Sequence, residues 1–183
     1  MNKNFIYYLP GAGGELRKGL GQALLERGYA VIGRETVSAF NRLSFGHQVK
    51  TVTEDLLADF WTPDAKVIAT SFGAYLFLHA QLELDPFPGR VLLLSPVMGS
   101  ATHPITGDRF YRPRADVLPE AAKTASCPTP KSIEVHVGDQ DWQAGPDTLI
   151  EFCKAAGVTL HIAKGRGHTL GVDYMTDVLN RWL

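Results

Sequence analysis

The chain has 183 residues, 45% of them hydrophobic and 20% charged, which suits one globular domain with a substantial core and not two. A formal net charge of −1 gives no general attraction to polyanions, so neither nucleic acid nor a membrane surface is an expected partner. Two cysteines, Cys127 and Cys153, make no disulfide framework; no segment is apolar over the width of a bilayer, and the first apolar run stops at Pro10, too early for a signal-peptide core. A cytoplasmic protein with reduced thiols is the expectation.

Phe5 to Leu9, dense in aromatic and apolar residues, predicts a buried strand, broken by Pro10-Gly11-Ala12-Gly13-Gly14. Glu15 to Arg27 predicts a helix, with Leu16, Leu20, Ala23 and Leu24 on one face and Gly28 as its stop. Tyr29 to Ile32 predicts a second strand, and 33–46, without periodicity, a loop. Val49, Val52, Leu56 and Phe60 mark the next helix, which ends before Pro63. Lys66 to Thr70 is the third strand and Phe72 to Glu83 the third helix. Val91 to Leu94 has the continuous apolar character of a central parallel strand. Regular patterning fails from Ser95 to Pro130, where six prolines fall at 96, 104, 113, 119, 128 and 130. Connections of that length are commonly functional loops, so 97–130 is expected as an insertion near the site. Ile133 to Val137 is a strand, Pro146 to Ala156 a helix, Val158 to Ile162 the last strand, and Gly171 to Leu183 the last helix. This alternation predicts a single α/β domain over 1–183: a mostly parallel, six-stranded, doubly wound sheet with helices on both faces.

In such sheets the chemistry gathers at the carboxyl ends of the strands. The first strand ends in the Gly11–Gly14 turn and the third in Ser71, framed by Ala69 and Gly73. The fifth ends in Gly138-Asp139-Gln140-Asp141-Trp142, the last in Lys164-Gly165-Arg166-Gly167-His168. Serine, acid and histidine therefore follow one another at successive strand ends. A serine on a tight strand-to-helix turn presents its hydroxyl at the top of the sheet and needs small flanking residues. Its proton must go to a base, which a histidine with a near-neutral pKa provides, and a carboxylate must hold that imidazole.

With this order and placement the chain resembles a minimal α/β-hydrolase without a large cap domain. It is similar to the compact serine hydrolases of the retinoblastoma-binding-protein-nine-like and dienelactone-hydrolase-like groups. The resemblance covers nearly the whole chain. It implies Ser71 as nucleophile, His168 as base and Asp141, three residues after Gly138, as the orienting acid. Asp139 is the competing acid, with a turn or capping role as its alternative. The resemblance further implies an oxyanion hole from the N–H groups of Phe72 and Ala12. Candidate pocket residues are Gly11, Gly13, Trp142, Val97, Met98, Arg109 and Tyr111. The implied activity is an esterase-type acyl transfer on a small-molecule acyl substrate, without cofactor or metal.

Particular residues also carry other readings. Gly11, Gly13 and Gly14, with Glu35 about twenty residues on, suggest a dinucleotide cradle, but Leu16 breaks the required spacing. His47, His79, His136 and His161 stand at no metal-ligand spacing along the chain, and Cys153 falls on an apolar helix face. His103, Asp108, Arg109, Phe110, Tyr111, Arg112 and Arg114 make 97–130 the segment that could recognise an anionic or aromatic group, or simply pack down as a loop. A non-catalytic binding module on the same scaffold, or a thioester or carbon–carbon bond hydrolase, shares the same sequence features.

Overall fold

The computed structural model describes residues 4–183, so the first three residues of the expected domain lie outside the described residues. Six strands form one parallel sheet: β1 (Phe5–Leu9), β2 (Ala30–Gly33), β3 (Lys66–Thr70), β4 (Arg90–Leu94), β7 (Ser132–Gly138) and β8 (Thr159–Ala163). Their order is β2-β1-β3-β4-β7-β8, and every neighbouring pair is parallel. From β1 the chain moves one way to β2 and the other way to β3. The order therefore reverses between β1 and β3, and the loops after these two strands part there, leaving the crevice in which such sheets bind ligands.

Side chains alternate along each strand and sort into two cores. Tyr7, Leu9, Val67, Ala69, Val91, Leu93, Val135 and Val137 meet α3 (Phe45–Asp55), α4 (Ser71–Gln81) and α6 (Pro146–Ala156) on one face. Ile6, Tyr8, Ile68, Leu92, Leu94 and Ala163 meet α1 (Leu20–Glu26) and α7 (Val172–Trp182) on the other. Helix α4 is buried from Phe72 to Gln81, which accounts for its being apolar on all sides. Among the described residues no helix is long and apolar enough to cross a membrane.

The sheet and its covering helices match the expected α/β class; several boundaries differ for local reasons. The first helix begins at Leu20 rather than Glu15, because Gly19 takes a left-handed φ of 53° and Leu16 N–H donates to Glu35 instead of entering a helix. The expected 33–46 loop contains a short helix, α2 (Ser38–Asn41). Helix α3 starts at Phe45, capped by Ser44, whose hydroxyl accepts from His47 N–H, and passes at Leu56–Phe60 into a π-helical turn. The 97–130 segment is not structureless. It holds an antiparallel hairpin, β5 (Ser100–Thr102) with β6 (Arg109–Tyr111), and a short helix, α5 (Val117–Lys123). Short strands joined by a polar turn, inside a proline-rich stretch, leave too few residues for either period to show.

Candidate active site

Ser71 is the first residue of α4 and has a φ of 49°, a left-handed conformation that costs a non-glycine residue energy and aims its side chain out of the strand–helix joint. Gly73 makes the joint possible: a Cβ there would run into the carbonyl oxygens of Leu9 and Pro10. Ala69 is fully buried, so the first flanking position has room for one methyl group.

His168 Nε2 lies 2.8 Å from Ser71 Oγ, and His168 Nδ1 lies 2.9 Å from each oxygen of Asp141. Asp141 is completely buried, and its Oδ1 also accepts from the N–H groups of Gln143 and Ala144, each at 3.1 Å. The carboxylate is therefore fixed by the backbone before it meets the imidazole. Asp139 has the other role: it is exposed, and its Oδ1 accepts from Gly165 N–H at 2.8 Å, tying the β7 turn to the histidine loop. Gln140 N–H donates to Arg166 O in the same tie. A Cβ at Gly138 would strike the carbonyls of Arg166 and Gly167, so the loop after β8 can lie across the end of β7 only because residue 138 is glycine. Gly165 has the left-handed φ expected of a sharp turn, 70°; Gly167 does not, and its Cβ position is open.

The Gly11–Gly14 turn packs directly on the serine. A Cβ at Gly11 would sit 3.2 Å from Ser71 Cβ. The turn is held by Thr36, a buried residue of the 33–46 loop that no sequence pattern singles out. Its hydroxyl accepts from Gly14 N–H at 2.9 Å and donates to Gly11 O, while its backbone exchanges bonds with Gly13 N and Gly14 O. Between these anchors the N–H of Ala12 donates to no group among the described residues. Phe72 N–H belongs to the first turn of α4, where a helix provides no acceptor. Glu35, the acid required by a dinucleotide reading, is engaged with Leu16 N–H.

A cavity of about 270 Å³ opens at Ser71 and His168, walled by Tyr8, Leu20, Thr70, Leu94, Ser95, Thr169, Leu170 and Met175. It shares Leu20, Thr169, Leu170 and Met175 with a predominantly apolar groove of about 370 Å³ that runs between α1 and α7 past Ala23 and Leu179. Burial pushes the Tyr8 phenol up to about 12, so it is a neutral wall of this space. The pocket candidates from the sequence lie elsewhere. Val97 and Met98 are buried in the α4-side core, and Arg109 and Tyr111 stand exposed on the hairpin. Trp142 lines a separate cavity of about 390 Å³ with Asp139, Asp141 and Ser100–Thr102. Gly13 belongs to the Thr36-anchored turn, and only Gly11 abuts Ser71. The hairpin is pinned down instead: Arg112 lies 4.7 Å from the ring centroids of both Phe72 and Phe110, and Tyr75 donates its hydroxyl to the carbonyl of Pro113. Cys153 is core, as expected, and burial pushes its thiol up to about 12.

The histidines set aside on linear spacing are not all isolated. His136 and His161 face each other across β7 and β8, with Glu134 beside them. Spacing along one chain segment could not reveal this, because the cluster is made by strand register.

The sheet order, the serine at the β3–α4 joint and the histidine loop over the sheet edge define an α/β-hydrolase fold. No family model matches the sequence, and no curated protein matches it. Solved structures do. A CIB-like hydrolase from Thermoplasma acidophilum superposes with a TM-score of 0.65 at 15% identity, over 99% of this chain and 86% of the other. The α/β-hydrolase domain-containing protein 10 from mouse gives 0.66 at 15% identity, over 98% and 90%. Esterase PE8 gives 0.61 at 20% identity, over 99% and 93%. At these identities the likeness is one of fold.

Proposed function

We propose that the protein is an esterase-type serine hydrolase that works through a covalent acyl-enzyme. The observation that carries this reading is the hydrogen-bonded chain from Ser71 Oγ through His168 to the buried Asp141, with contacts of 2.8 and 2.9 Å. Ser71 Oγ attacks the substrate carbonyl carbon as its proton passes to His168 Nε2. Asp141 keeps the proton on Nδ1, so that Nε2 is the acceptor, and stabilises the imidazolium. The N–H groups of Phe72 and Ala12 receive the negative charge developing on the carbonyl oxygen. His168 then protonates the departing alcohol, and water, activated by the same histidine, releases the acid and restores Ser71. A thioester follows the same steps with a thiol as leaving group.

The cavity at Ser71 opens into the apolar groove between α1 and α7, which supports an acyl chain as the part of the substrate held there. The neighbour described as an esterase is in keeping with this. A fluorophosphonate probe tests the nucleophile: wild type is expected to label at Ser71, and equal labelling of Ser71→Ala would end the proposal.

A further inference from the structure

On the sheet face covered by α7, outside the Ser71 chain, three metal-ligating side chains converge from two strands. Glu134 and His136 are two apart in β7 and so share a face, and His161 of β8 stands in register with His136. One ligand atom from each lies within 4.8 Å of the others. Glu134 Oε2 is 3.6 Å from His136 Nε2 and 4.0 Å from His161 Nε2, both too long for hydrogen bonds. Metal–ligand bonds of about 2.0–2.2 Å in a tetrahedron separate neighbouring ligand atoms by roughly 3.4 Å, so the two carboxylate gaps need closing by about half an ångström or less, and the separation of the two imidazole nitrogens, within 4.8 Å, by up to about 1.4 Å.

His136 points to a ligand independently. It is completely buried, and its Nε2 has no hydrogen-bond partner. Its Nδ1 lies 2.9 Å from the hydroxyl of Tyr174 on α7. With the Nδ1 proton given to that oxygen, the Nε2 lone pair is left facing Glu134. A buried ring nitrogen without a partner calls for an explanation, and a cation between the three side chains supplies one. An outer partner that fixes ring and tautomer is the usual support of a metal-binding histidine. We propose that Glu134, His136 and His161 bind one divalent transition-metal ion such as Zn²⁺, with Tyr174 orienting His136 from behind and water completing the site.

Two nitrogens and one carboxylate suit a borderline ion better than calcium or magnesium, which take oxygen. His161 is the ring that must turn, since it now stacks on His136 with centroids 4.5 Å apart and planes 13° from parallel. Its side chain is 36% exposed, so it has the freedom to do so. Arg181 of α7 is the charged group that opposes a cation here, and the Glu134 carboxylate offsets it. The ion would tie edge strand β8 to β7 and, through Tyr174, both to α7. Its role is a clamp on the fold and involves no step at Ser71.

The test titrates chelator-treated protein with Co²⁺, then Zn²⁺. One Co²⁺ per chain is expected, with the intense visible absorption of a tetrahedral site, displaced by Zn²⁺ and accompanied by a higher Tm. His161→Ala and Glu134→Gln, both at partly exposed positions and so able to fold, should abolish this stoichiometric binding. Tyr174→Phe should keep the stoichiometry and weaken affinity by roughly 10–100-fold. Absence of saturable binding by the wild type at millimolar ion would overturn the site. So would binding unchanged in His161→Ala and Glu134→Gln, which would assign the ion to other histidines such as His47 or His103. Unchanged affinity in Tyr174→Phe would overturn the orienting role.

Discussion

On the proposed mechanism, replacing Asp141 by asparagine separates the two tasks of its carboxylate. An asparagine side chain has the same shape, and its oxygen can still accept from the N–H groups of Gln143 and Ala144, now at 3.1 Å. Its amide nitrogen would then face His168 Nδ1, which at present lies 2.9 Å from both carboxylate oxygens. Two donors cannot share that contact, so the imidazole moves its proton to Nε2 and can no longer take one from Ser71. The expected fall in kcat is on the order of 10⁴, about 5 kcal/mol of transition-state stabilisation. Asp141→Asn should cost little stability because the two backbone bonds survive. Asp141→Ala leaves both N–H groups buried and unpaired at roughly 1–3 kcal/mol each, so its Tm should fall by at least several degrees. Burst and steady-state kinetics on p-nitrophenyl esters, with thermal unfolding of the same samples, read both effects. Retention of more than about a tenth of kcat by Asp141→Asn, with collapse in Asp139→Asn, would hand the acid's role to Asp139 and refute the reasoning.

Thr36→Val removes the hydroxyl that ties Gly14 N and Gly11 O. It is expected to lower kcat roughly 10- to 100-fold with KM little changed, since the Ala12 N–H loses its fixed direction, and Thr36→Ser should restore the rate. Ala23→Trp fills the apolar groove lined by α1. Acetyl and butyryl esters should be hydrolysed as before, while each methylene kept from longer chains costs about 0.8 kcal/mol, near fourfold in kcat/KM; a uniform loss across chain lengths would remove the groove from the substrate. Burial lowers His79 and His136 to about 4, with smaller contributions from Arg114 for the first and from His161 and Arg181 for the second. The unfolded chain then binds more protons than the folded one between about pH 4 and 6.5, so stability is full above that window and falls as pH drops through it, by roughly 3 kcal/mol per histidine at the acid end. Urea midpoints of the chelator-treated protein at pH 7 and pH 5 measure this, and a flat profile would contradict it.

Much of the architecture is legible in the chain itself. The continuous apolar runs of β1, β3 and β4 mark strands buried on both faces, and the β–α succession requires a parallel sheet, whereas which residues face each core is set by the fold. Ser71, Asp141 and His168 can be singled out because each follows a strand, and their separation of 70 and 27 positions is closed by the parallel sheet together with the ties between the β7 turn and the histidine loop. The choice between Asp141 and Asp139 is not decided by residue type; burial and two backbone donors place the first on His168, while exposure places the second on Gly165. Three features are decided only in the folded molecule. Thr36 reaches the glycine turn from a loop 22 residues away. The space beside Ser71 is walled by α1 and α7 rather than by 97–130, because Arg112 and Tyr75 pin that segment on the opposite side. Glu134, His136 and His161 meet through the register of β7 with β8. Periodicity reports the face on which a residue lies, which is a local property of the backbone. Which faces, loops and ring atoms then meet is set by strand order and helix packing, and these are fixed only when the whole core closes.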